Sequence, residues 1–81
     1  MAAWELKVVS TLDGAIRCSV NVDSPRVKDI EAVRSGDTLG ILVAGETVAV
    51  GYPTTAQAEH GEYELLRRPV GSDEEPKATT F

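Results

Sequence analysis

The sequence predicts an α+β fold dominated by β-structure. It reads as a small antiparallel sheet or partly open barrel of two hairpins plus a final strand, with one short helix near 25–34. Three observations carry this. Apolar side chains alternate on either side of an Asp-Gly turn in residues 4–22. They alternate again around Gly45 in residues 38–52. Between the two, Val27, Ile30 and Val33 recur at i, i+3 and i+6, which is a helical stripe.

The first hairpin is set by Leu12-Asp13-Gly14, since Asp-Gly is a strong turn signal. A two-residue loop at Asp13-Gly14 would oppose Lys7 to Val20 and mix the faces. A three-residue loop, Leu12 to Gly14, pairs Ser10 with Ile16, Val8 with Cys18, Leu6 with Val20 and Trp4 with Val22. It also puts Gly14 in the left-handed position of a type I turn with a bulge, where glycine costs least. Glu5, Lys7, Val9, Thr11, Arg17, Ser19 and Asn21 then share a wet face.

Ser24-Pro25 reads as a helix start, with Ser24 as N-cap and Pro25 at the first helical position. Arg34 and Gly36 suit the far end. The segment is short and rich in valine, so its helical propensity is only fair, and an irregular extended segment is the alternative.

Gly45-Glu46 suits a two-residue type II′ loop, which pairs Val43 with Val48, Ile41 with Val50 and Leu39 with Tyr52. One face of this second hairpin is then large and apolar (Leu39, Ile41, Val43, Val48, Val50, Tyr52). The other is small (Gly40, Leu42, Ala44, Thr47, Ala49, Gly51). Apolar character on both faces predicts either central strands or a face that meets a partner.

Residues 53–61 read as a loop. Residues 62–70 add a last strand that ends at Pro69 or lies at an edge, because proline donates no ladder bond. Residues 1–70 thus form one β-rich domain. Residues 71–81, with Asp73, Glu74 and Glu75 against Lys77, have the composition of an acidic C-terminal tail in which Phe81 is the natural anchor.

Composition narrows the function classes. The 81 residues carry 42% apolar and 26% charged side chains and a net charge of −5, a globular mix. An acidic balance argues against phosphate-backbone binding, so no nucleic-acid partner is expected. No fully apolar run exceeds four residues, against the ~20 a bilayer needs, and no secretory signal is recognisable. With one cysteine and no internal disulfide, the expected location is cytoplasmic, or a particle assembled there. Aromatics are only Trp4, Tyr52, Tyr63 and Phe81, so the core is expected to be aliphatic.

No catalytic set is legible. Cys18 falls among Val8, Ile16 and Val20 with no base or positive field to activate it, which makes it a small core hydrophobe. His60 is the only histidine; with Glu62 and Glu64 it falls short of the several nitrogen or sulfur ligands zinc sites use. No nucleophile elbow, P-loop or dinucleotide fingerprint occurs. Arg67-Arg68, near Glu62 and Glu64, reads as an ion-paired strand end. No enzyme activity, cofactor or metal is therefore expected.

Val33-Arg34-Ser35-Gly36-Asp37-Thr38-Leu39 resembles the opening of a LysM domain, a family that binds N-acetylglucosamine-containing glycans. The resemblance covers seven of 81 residues and implies a helix starting at Gly-Asp-Thr-Leu. Here Gly40 and Gly45 interrupt such a helix, and residues 47–52 read as a strand instead.

The remaining expectation is a protein partner or self-association. The chain reads as a structural subunit of a multi-copy assembly such as a virion, with contacts through Leu42, Ala44, Thr47, Ala49, Tyr52, Asp73, Glu74, Glu75 and Phe81. The alternative is a small acidic inhibitor or immunity-type protein that occupies a basic site through Glu62, Glu64, Asp73, Glu74 and Glu75.

Overall fold

The alternating segments become seven strands in two antiparallel sheets, in a computed structural model that describes residues 3–23, 26–54 and 61–81. The strands among the described residues are β1 (Ala3–Ser10), β2 (Ile16–Asp23), β3 (Ile30–Ser35), β4 (Thr38–Val43), β5 (Glu46–Gly51), β6 (Tyr63–Pro69) and β7 (Lys77–Thr80). One sheet has the order β2-β1-β6-β7 and the other β3-β4-β5. The Cα envelope measures 39 × 27 × 16 Å, and its short dimension has room for just two layers at the usual ~10 Å sheet spacing. No barrel closes: β2 packs on β5, whereas β3 and β7 are unpaired edges.

Between the layers lie Leu6, Val8, Ile30, Leu39, Ile41, Tyr63 and Leu65, all buried. Tyr63 is the one aromatic at the centre of an otherwise aliphatic core. Trp4, Cys18, Val20, Val22, Val43, Val48 and Phe81 pack around it, half-buried.

In the first hairpin Val8–Cys18, Leu6–Val20 and Trp4–Val22 pair as the alternation predicts. The end next to the turn differs. Val9 faces Ile16, Arg17 is the extra residue of a bulge, and Ile16 is turned out to 52% exposure. The loop is one residue wider than expected, because two side chains supply acceptors for its amides. Ser10 Oγ accepts from Leu12 N at 3.1 Å, and Asp13 Oδ1 accepts from Ala15 N at 2.9 Å. Gly14 closes it with φ 72°, donating to the Ser10 carbonyl at 2.8 Å.

The short helix near 25–34 shrinks to a single 3₁₀ turn, Val27–Asp29, and β3 follows directly. Residues 24 and 25, the expected cap and first turn, lie outside the described residues. Of the predicted stripe only Ile30 is buried, while Val27 and Val33 are 44% and 37% exposed. The competing signal is period two: Ile30 and Ala32 turn inward, with Glu31 and Val33 outward. Gly36, at φ 57°, makes the tight loop that folds β3 onto β4. Backbone hydrogen bonding to β4 offsets what a short valine-rich helix could not gain alone. The segment that resembles a LysM opening is therefore strand, turn and strand, with Thr38 and Leu39 starting β4 where that family starts a helix.

The second hairpin turns one residue earlier than predicted. Ala44 and Gly45 both have positive φ, 51° and 82°, the pattern of a type I′ loop whose twist matches the strands. Val43 therefore faces Glu46, and a bulge at Val48 realigns the ladder so that Ile41 faces Ala49, Gly40 faces Val50 and Leu39 faces Gly51. The expected pairs Val43–Val48, Ile41–Val50 and Leu39–Tyr52 do not form. Ala49 and Gly51 are inward, whereas Val50 and Tyr52 stand 50% and 66% exposed.

β6 ends at Pro69 as predicted. The expected acidic tail is split in two. Residues 70–76 connect strands, and β7 extends the first sheet by pairing Leu65 with Thr79 and Arg67 with Lys77. Phe81 exchanges backbone hydrogen bonds with Tyr63 at 2.9 and 3.2 Å, and the two rings lie 5.9 Å apart.

Candidate interaction surface

The two sheets present unlike outer faces. On the four-stranded sheet, period two sends Glu5 and Lys7 outward from β1, and cross-strand pairing brings Arg68 of β6 opposite Glu5. Lys7 Nζ lies 3.2 Å and Arg68 Nη2 3.0 Å from the Glu5 carboxylate. The Lys7 hydrogen bond, reinforced by Arg68, holds the Glu5 carboxyl below its usual range despite partial desolvation. Arg68 is thus ion-paired as expected, but with Glu5 across the sheet and not with Glu62 or Glu64.

The outer face of the three-stranded sheet carries almost no charge. Its middle row is Val33, Gly40 and Val50, and the adjacent row is Glu31, Leu42 and Thr47. Gly40 is buried beneath the flanking side chains. A Cβ there would stand in ordinary contact with Val33 Cγ2 at 3.5 Å and Leu42 Cδ1 at 3.6 Å. Val33, Leu42, Val50 and Tyr52 therefore form one apolar strip, with Glu31 as the acid on its margin.

Of the predicted contact residues, Leu42, Thr47 and Tyr52 belong to this surface, and Ala44 is exposed in the loop beside it. Ala49 does not, since the Val48 bulge turns it against the core. Asp73, Glu74 and Glu75 are exposed in the β6–β7 connection, where Glu74 N donates to Ser72 Oγ at 3.0 Å. They stand on the other sheet and are not part of the strip. Phe81 is half-buried against Tyr63 and so anchors β7 within the molecule. Sequence reasoning missed Val33 and Val50, the first because it was read as helical, the second because the bulge inverts its face.

The chemistry-bearing candidates separate in the same way. Cys18 packs against the core, and burial pushes its thiol up, away from the reactive thiolate. His60 lies outside the described residues. Among the described residues, no three of His, Cys, Asp and Glu converge as metal ligands would, and no helix is long and apolar enough to cross a membrane.

No family model, curated protein or solved structure matches the chain.

Proposed function

We propose that this protein is a non-enzymatic interaction module, a small structural subunit that joins further copies of itself through the outer face of β3, β4 and β5. The observation that supports this is the contrast between faces: one is tied up by its own Lys7–Glu5–Arg68 ion pairs, and the other leaves Val33, Val50 and Tyr52 exposed beside a half-buried Leu42. Exposed apolar strips of this kind mark contact surfaces, and a domain this small has little core with which to stabilise itself unaided.

Light scattering coupled to size exclusion tests the reading. A mass that rises above the 8.6 kDa monomer with concentration, and returns to it in Val50→Lys, is the expected result. A wild-type protein that stays monomeric at high concentration removes it.

A second reading rests on Asp73, Glu74 and Glu75, three consecutive exposed acids on an ordered connection. They suit an acidic inhibitor that docks on a basic protein site. Steep loss of such binding with added salt supports it, and salt-insensitive binding eliminates it.

A further inference from the structure

The side of the sandwich away from β2 and β5 is open, and a cavity of about 150 Å³ lies there between β3 and the β6–β7 pair. Its lining is mixed: Ile30 and Ala32 from β3, Leu65 from β6 and Phe81 beyond β7 are apolar, and Glu31, Arg67 and Thr79 are polar. One cation enters it. Arg67 pairs with fully buried Leu6 in the ladder, so its side chain leaves β6 on the inner face. Its Nε is buried with no hydrogen-bond partner, and Nη2 has only a long 3.4 Å contact to Thr79 Oγ1. Lys77 stands directly opposite Arg67 on β7, outside the lining, so two like charges face each other across that ladder. Glu31 is the acid on the lining, and it belongs to the outward row of β3.

An unpaired buried donor is costly, and like charges opposed across a ladder destabilise it. We propose that this cleft binds a small monocarboxylate with an apolar body, of the size of benzoate. The paired Nη groups of a guanidinium match a carboxylate in two parallel hydrogen bonds. A cavity near 150 Å³ holds a ring the size of benzene, so the apolar walls take the body while Arg67 takes the charge. Glu31 borders both this cleft and the outer-face strip, but the site does not depend on self-association.

The test is a titration of the full ¹⁵N-labelled chain with sodium benzoate, read from the amide shifts of residues 30–32, 65–67 and 77–81. Saturable shifts confined to those residues are expected. Benzyl alcohol, which lacks the charge, and sulfate, which lacks the ring, should each bind at least about tenfold more weakly, as loss of a charged hydrogen bond or of the apolar contact implies. Arg67→Gln should weaken benzoate by about the same factor, and Ala32→Leu should do so by filling the cavity. Arg67→Lys keeps the charge without the fork and serves if Arg67→Gln does not fold. Shifts that stay linear to the highest concentration overturn the proposal. So does benzoate binding that is equal in wild type and in a folded Arg67 variant.

Discussion

At Gly51 a single missing carbon decides how closely the two sheets approach. A Cβ built there would fall on the carbonyl oxygen of Arg17 and within 3.1 Å of the Cys18 Cβ, so β2 and β5 can meet only where one of them carries glycine. Backbone cannot give way as a flexible side-chain end can. Gly51→Ala is therefore expected to destabilise the fold by about 2–3 kcal/mol, the upper range for overpacking, measured as a lower melting temperature with unchanged far-UV circular dichroism. A variant as stable as wild type would show that the close approach is not a constraint. The inward set Leu6, Val8, Leu39, Ile41 and Leu65 was legible from alternation alone. Val50 was not, because one inserted residue at Val48 reverses every later side chain of β5, and nothing in Glu46-Thr47-Val48-Ala49 announces it. Arg67 escaped notice for a different reason. Its neighbour Arg68 does what paired arginines at a strand end usually do, and only the ladder register separates the inward one from the outward one.

Among the elements, β7 departs most from its composition. A stretch with Asp73, Glu74, Glu75, Pro76 and Lys77 reads as solvated tail, yet four residues at its far end complete a ladder on β6. Local propensity could not reveal this, because the pairing draws on a strand ten or more positions earlier and on one aromatic contact. The Phe81 ring lies 5.9 Å from that of Tyr63, and the Arg34 guanidinium lies 5.3 Å from the Tyr63 ring centre. Phe81→Ala should cost about 2 kcal/mol, less than the 3–5 typical of a fully buried phenylalanine because this ring is only half-buried. Urea unfolding followed by tyrosine fluorescence measures it, and a midpoint equal to wild type would mean that β7 is held by its backbone alone. The stretch from residue 25 to 34 teaches the complementary lesson. Val27, Ile30 and Val33 fit a helix, but Ile30, Ala32 and the Gly36 turn fit a hairpin, and the hairpin brings a partner strand with it.

Among the described residues the molecule has four edge strands that are not equivalent. β2 and β5 are clasped where Gly51 meets Arg17, whereas β3 and β7 flank an unfilled gap. Thermal opening of such a body is expected to be one-sided, like a hinged cover that lifts along its free margin while the spine stays shut. Amide exchange should record that geometry. The outward-pointing hydrogens of the clasped edges exchange freely in any case, so the comparison belongs to the ladder amides each edge donates inward. Those of β3 and β7 are expected to lose protection before those of β2 and β5 as denaturant is raised. Equal protection at all four margins would mean the leaves part evenly. Opening confined to that seam would bare Ile30, Ala32 and Leu65 while the contact of Gly51 with Arg17 stays closed.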